Sequence, residues 1–308
     1  MLKTDRPIIK QSRKMAKPKI FVAILMRGAM SQRIIDFQMA GEMYGTPGCF
    51  PFLLRERLGM NKIPAITFSF WVMKICATTL GETAGDLVSM TLKVGYAVSS
   101  VILLGVFLAT LLGQLGAKKF HPALYWSVIL STSTAGTTMS DFMDRTLGFG
   151  YATGSLILST LLVGTLVAWK MTEKSLSVSK IETFRGELFY WTAILFSNTL
   201  GTAMGDYLAD HLGLGFVRVA VILGAFLGVL WLAYVFTNLS HVFLFWAAFV
   251  LTRPFGATFG DVLTKSQEQG GLNLGTIGSS LVLLGILIFL LFVTTWREGR
   301  KAGLRTTG

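Results

Sequence analysis

The stretch Trp71-Val72-Met73-Lys74-Ile75-Cys76-Ala77-Thr78-Thr79-Leu80-Gly81-Glu82-Thr83-Ala84-Gly85-Asp86 decides how this chain is read, because its framework recurs three more times. Trp126 leads to Asp141, Trp191 to Asp206 and Trp246 to Asp261 by the same 15-residue step. Five residues before each aspartate stands a glycine (Gly81, Gly136, Gly201, Gly256), and nine after it stands another (Gly95, Gly150, Gly215, Gly270). The position before the aspartate is always small, being Gly85, Ser140, Gly205 or Gly260. The chain has only seven tryptophans in 308 residues, so four on one offset mark an internal repeat rather than coincidence. The aspartates lie 55, 65 and 55 residues apart, which also groups the copies into two halves displaced by 120 residues. His121 and His241 keep the same 120-residue separation.

Composition says what kind of protein carries the repeat. Hydrophobic residues make up 52% and charged residues 14%, against about 25% charged in an ordinary soluble domain, and the mean hydropathy is +0.61. Two cysteines, Cys49 and Cys76, and three histidines exclude a disulfide framework and most zinc or haem centres. The net charge of +12 would suggest nucleic acid in a soluble protein, but here it flanks long uncharged segments. From Lys93 to Lys118 there are 24 uncharged residues, from Lys119 to Asp141 there are 21, and from Arg145 to Lys170 there are 24. A hydrocarbon core needs about 20 residues of helix, so each gap fits one span. Glu187 to Asp206 leaves 18 and Glu268 to Arg297 leaves 28. Arg218 to Arg253 leaves 34, broken by the polar turn at Thr237 to His241, and reads as two spans. With Ile66 to Gly81, the expectation is an all-α, polytopic membrane protein of eight transmembrane helices.

Each copy then holds two spans. An even number makes all four copies parallel, in two pseudo-equivalent halves about an axis along the membrane normal. The expected boundaries are a basic tail over 1–59, a first membrane half over 60–169 and a charged linker over 170–187. A second half follows over 188–296, and a basic tail over 297–308. The first 59 residues hold eleven Lys or Arg, four acids and no apolar run long enough to span. They read either as a solvated tail or as sequence upstream of a true start at Met60. Basic residues crowd one side, including Lys62, Lys118, Lys119, Lys170, Lys174, Lys180, Arg185 and Arg297. The other side holds Lys93, Arg145 and Lys265. That bias places both termini in the cytoplasm.

The residues Phe70-Trp71, the segment Gly81 to Asp86 and their three echoes resemble a family of bacterial integral membrane proteins. These are built of four tandem copies of a two-transmembrane repeat of unknown function with a characteristic tryptophan. The resemblance covers about residues 60 to 300. It implies the architecture and a bacterial inner-membrane location but supplies no substrate.

Chemistry has to be read from the residues. Offsets −15, −12, −8, −5 and −1 from each aspartate share one helical face, and small residues on it allow close helix approach. Beside that face the row −8, −4, 0 reads Thr78-Glu82-Asp86, Ser133-Thr137-Asp141, Asn198-Thr202-Asp206 and Arg253-Ala257-Asp261. One reading has these rows converge on a site for a hard cation such as Mn²⁺, Ca²⁺ or Mg²⁺, which prefers carboxylate and hydroxyl oxygen. The alternative has each aspartate end its helix and cap a turn at the outer interface. Glu82 and Asp86 stand four apart, a like-charge pair that calls for a cation or proton and singles out the first copy. Lys74 and Arg253 are either coupling or counter-ion residues, or they pair with a neighbouring acid or snorkel to an interface. Arg253-Pro254 predicts a kink in the seventh helix. Trp71, Trp126, Trp191 and Trp246 are expected as anchors at an interface or between copies.

The candidate ion ligands are therefore Glu82, Asp86, Asp141, Asp206, Asp261, Thr78, Thr137 and Asn198, with the metal undetermined. No nucleotide-binding loop, zinc-protease helix or nucleophile elbow is present, so no enzymatic activity and no cofactor are expected. The expected partners are the lipid bilayer and a small cation, with no nucleic acid. The leading expectation is a cation transporter, and the alternatives are a membrane scaffold or sensor and a carrier of a small organic solute.

Overall fold

A computed structural model describes residues 63–306 except 118, 179, 180 and 182, with side chains described through residue 297. The expectations for residues 1–59, including a start at Met60, lie outside the described residues. Among the described residues the fold is all-helical: α1 (Phe68–Asp86), α2 (Tyr96–Gly116), α3 (Pro122–Asp141), α4 (Gly150–Glu173), α5 (Phe184–Asp206), α6 (Phe216–Phe236), α7 (His241–Thr264) and α8 (Thr276–Thr306).

Local chemistry starts these helices where the repeat places them. The Thr67 and Thr183 hydroxyls accept from Phe70 N and Gly186 N, and Ser240 accepts from Phe243 N, satisfying otherwise orphaned first-turn amides. Pro122 opens α3, where its missing N–H is not needed. The glycine nine residues after each aspartate has positive φ in all four copies: 82° at Gly95, 72° at Gly150, 75° at Gly215 and 81° at Gly270. A side chain is strained there, which explains why every copy keeps glycine at the turn between its helices. The linker expected over 170–187 contributes its first residues to α4 and its last to α5.

The odd-numbered helices form a closed inner ring, α1 against α3, α3 against α5, α5 against α7 and α7 back against α1. Each even-numbered helix packs outside, not on its own partner but on the inner helix of the following copy: α2 on α3, α4 on α5, α6 on α7. The last, α8, closes the circuit on α1. Side chains reinforce this, with Thr110 Oγ1 and Ser131 Oγ 2.8 Å apart across α2 and α3, and Ser280 Oγ donating to Thr83 Oγ1 at 2.9 Å across α8 and α1.

The glycine seam sets the ring's spacing. A Cβ on Gly81, Gly136, Gly201 or Gly256 would collide with Ser133, Asn198, Arg253 or Thr78 respectively. In each case the glycine at offset −5 receives the residue at offset −8 of the next copy. One turn on, Gly85 meets Thr137, Gly205 meets Ala257 and Gly260 meets Glu82, so offset −1 receives offset −4. Both contacts step the same way along neighbouring helices, so inner helices run parallel to one another.

Five helices are long and apolar enough to cross a membrane: α2, α4, α6, α7 and the first 22 residues of α8. The outer four bury only 17% to 22% of their apolar windows, whereas α7 buries 56%. The other inner helices, α1, α3 and α5, are less apolar because their Thr, Ser and acidic residues face the ring interior, where they are buried. Helix α7 runs without a break through Pro254.

Candidate ion-binding layer

Four layers of side chains, one from each copy, stack along the ring interior. At one end is an aromatic floor. The residue before each repeat tryptophan is aromatic and meets the tryptophan of the next copy: Phe70 with Trp126 at 5.6 Å, Tyr125 with Trp191 at 5.5 Å, Tyr190 with Trp246 at 6.3 Å and Phe245 with Trp71 at 5.8 Å between ring centroids. The Tyr125 and Tyr190 hydroxyls pair at 2.7 Å, and Trp246 Nε1 donates to Leu176 O at 3.0 Å. The tryptophans thus stand between copies, as one of the two expected placements had it, and all but Trp71 are buried.

Above the floor, Lys74 is buried among apolar groups with Nζ 4.0 Å from the centroid of the Phe249 ring. It makes no hydrogen bond among the described residues.

The next layers are centred on a wholly buried Arg253. Its Nη1 pairs with Glu82 Oε2 at 3.0 Å. Its Nη2 donates to Thr137 Oγ1 at 2.7 Å, Thr202 Oγ1 at 2.9 Å and Ser133 O at 3.2 Å. The Thr137 and Thr202 hydroxyls in turn reach Glu82 Oε2, at 3.1 and 3.0 Å. All three bonds to Glu82 fall on Oε2. Of the alternatives open for Arg253, the ion pair with a neighbouring acid is what the geometry presents, and it neutralises Glu82 beside Asp86. Burying a guanidinium requires this many acceptors, since an unpaired buried charge is costly.

At the other end lie the four aspartates, all buried to within 5% exposure. The side chains of Asp86, Asp141 and Asp206 make no capping bond to the turns that follow them. In three copies the helix continues past the aspartate as one widened, π-type turn, at Leu87–Thr91, Phe142–Thr146 and Tyr207–His211. Such turns store local irregularity and frequently sit at functional sites. In the fourth copy α7 ends instead at Thr264.

Two bases that the sequence reading left among the loop charges complete this layer. Arg145 bridges Asp141 (Nε to Oδ1, 3.0 Å) and Asp206 (Nη2 to Oδ2, 3.1 Å). Lys265 bridges Asp261 and Asp86, both at 3.2 Å. Each base lies four residues after its own aspartate and reaches the aspartate of the next copy. The signal was present: Arg145 and Lys265 are 120 residues apart, like the aspartates they serve. Burial disfavours the charge on both, but Asp141 and Asp206 around Arg145, and Asp261 and Asp86 around Lys265, outweigh it and raise both affinities for the proton. Both bases are therefore held as cations.

Oxygens of Glu82, Asp86 and Asp261 lie within 4.8 Å of one another, all on buried residues. Of the expected ligands, these three converge. Asp141 and Asp206 form a second group with Arg145, and Thr137 binds Glu82. Thr78 turns toward backbone carbonyls of Lys74, Ile75 and Thr252, and Asn198 donates to Thr132, so neither reaches the carboxylates.

The same four-copy pattern answers a comparison with protein families. The model of the Repeat of Unknown Function (DUF347) matches residues 69–120, 124–175, 189–240 and 244–300. The chain belongs to this repeat family. The boundaries of the DUF347 units agree with the helix pairs, each unit opening just after the start of an inner helix, the first three closing beyond an outer helix and the fourth within α8. No curated protein and no solved structure matches the chain.

Proposed function

We propose that this DUF347 protein is a multi-pass transporter of a small cation of the divalent class, with all eight helices spanning the membrane as four parallel two-helix copies. The observation that carries the reading is the convergence of Glu82, Asp86 and Asp261 in a buried layer. Hard divalent cations take such oxygen sets, and ionisable groups inside a membrane protein concentrate on ion pathways. The charge balance supports a cation: five carboxylates, Glu82 and the four aspartates, face three contacting bases, Arg253, Arg145 and Lys265, an excess of two negative charges when all are ionised. A divalent cation in the layer reduces that excess.

The layer is reached from its own end, where the Arg145 and Lys265 side chains are 32% and 18% exposed. Arg253 and the aromatic floor close the way to the other end. This suits one closed-to-one-side state of a carrier, with the two 120-residue halves rocking about the segment between α4 and α5. The positive-inside bias favours cytoplasmic termini and a bacterial inner membrane, with the acidic layer toward the outer face.

A carrier for an organic solute is an alternative: a groove of about 660 Å³ lies between α4 and α5, away from the layer, and a second of about 400 Å³ is lined by Thr91, Thr264 and Leu274. The bridged aspartates favour a second reading, a static membrane scaffold. Flux separates them. In proteoliposomes loaded with a Mn²⁺-quenched dye, the wild type should quench and Asp86→Asn should not. Equal rates for both and for empty liposomes would leave the scaffold.

A further inference from the structure

Resting on the reading of this layer as a cation site, we propose that Lys265 is a tethered stand-in for the transported cation, occupying its place on Asp86 and Asp261 until the ion displaces it. The structure already holds one cation at this position: the Lys265 ammonium lies 3.2 Å from an oxygen of each aspartate. Of its two contacts, that with Asp86 is a hydrogen bond and that with Asp261 an ion pair alone. Its approach to Asp261 Oδ1 is an ion pair without hydrogen-bond geometry, so that buried oxygen makes no hydrogen bond. Glu82, the third carboxylate, spends only Oε2 on Arg253, Thr137 and Thr202, and Oε1 makes no hydrogen bond among the described residues. Unsaturated carboxylate oxygens around a single ammonium are what an incoming metal ion would use.

Comparison with the equivalent position in the other half sharpens the assignment. Arg145 is a planar fork with separate donors for its two aspartates, and its guanidinium also lies 5.9 Å from the Tyr96 ring centroid and 5.7 Å from that of Tyr151. Such a fork is pre-organised and loses less freedom per bond than an ammonium does. Lys265 is a flexible point charge at the point where α7 stops, its backbone extended at φ −68° and ψ 157° rather than wound into a π-type turn. The fourth copy thus departs from the others exactly where a side chain would have to swing out. The pair of aspartates bridged by Arg145 is the fixed group; the pair bridged by Lys265 is the exchangeable one.

Charge then selects the ion. With all three carboxylates ionised and Lys265 in place, Glu82, Asp86 and Asp261 against Arg253 and Lys265 leave one negative charge. If a monovalent ion replaces the lysine, the balance stays the same. A divalent ion that expels it leaves the group neutral, which burial favours.

The test is calorimetric titration of Mn²⁺ into purified full-length wild type, Lys265→Gln, Lys265→Arg and Arg145→Gln, each checked for a monodisperse fold. Removing the competitor should tighten Mn²⁺ binding by Lys265→Gln about tenfold or more, equivalent to at least ~1.4 kcal/mol. Lys265→Arg should weaken it, which keeps the test decisive if the glutamine variant does not fold, and Arg145→Gln should not tighten it. If the wild type binds Mn²⁺ and Lys265→Gln binds equally or more weakly, the stand-in role is overturned while the cation site survives. If only Lys265→Gln binds, the ion does not displace the lysine, and both the exchange and the wild-type transport reading fall. If neither binds, both fall.

Discussion

Arg253 shows at the residue scale how one side chain can serve the fold and define the site together. It satisfies Glu82, Thr137 and Thr202 at once, so the three inner helices that carry them are tied to α7 by a single guanidinium. Removing one member of a buried pair leaves the other charge unpaired, and Arg253→Met should lower unfolding free energy in detergent by about 3–5 kcal/mol. Glu82→Met/Arg253→Met should recover most of that loss; no recovery would mean that the pair is not the source. Asp144 offers a pH test outside the spans. Burial pushes its carboxyl up to about 6, with the Ser140 hydroxyl and Arg145 pulling it partly back. An acid whose folded affinity for the proton exceeds its unfolded one stabilises the fold most below pH 4, and that contribution is lost as pH rises through about 6. Asp144→Asn should therefore raise the melting temperature at pH 7 and change it little at pH 4. These roles were only partly legible in the sequence. Glu82 and Arg253 stood out as charges among apolar residues, but their 171-residue separation gives no local sign of pairing.

At the scale of elements, the glycine at offset −5 does the work of a spacer, and its effect depends on what faces it. A Cβ on Gly136 would lie 2.9 Å from the backbone N of Thr199 and 3.0 Å from the carbonyl carbon of Asn198, neither of which can turn aside. Gly136→Ala should therefore cost about 1–3 kcal/mol, by overpacking, in unfolding measurements. Gly105, within α2, has nothing within 4 Å of its Cβ position. Gly105→Ala should be neutral or stabilising by up to ~1 kcal/mol through helix propensity. The spacing of the repeat exposed this seam, because small residues at 3 and 4 steps have a plain meaning on a helix. The π-type turns were not legible, and nothing in the glycines beside the aspartates announces them. In the structure those glycines accommodate the neighbouring helix instead.

For the whole molecule, the decisive feature is that every outer helix covers the inner helix of the next copy, and α8 closes the ring on α1. Copies coupled in this way cannot be removed from an end without uncovering another. Truncation after residue 275 should strip the cover from α1, including the Ser280 to Thr83 bond and the contact of Cys76 Sγ with Leu283 O. Size-exclusion chromatography should then show aggregation in place of a monodisperse peak. The number of helices and their pairing into copies followed from the sequence, because charge gaps and fixed offsets are local. The ring order and the two base-bridged aspartate pairs did not, because each depends on contacts between copies. The most direct test of the cation site is anomalous diffraction from crystals of the full-length protein soaked in Mn²⁺. We expect one peak about 2.0–2.6 Å from oxygens of Glu82, Asp86 and Asp261, the usual range for hard-cation ligands, with Lys265 turned away. Crystals that show Lys265 still bridging Asp86 and Asp261 with no peak between the three carboxylates would contradict it.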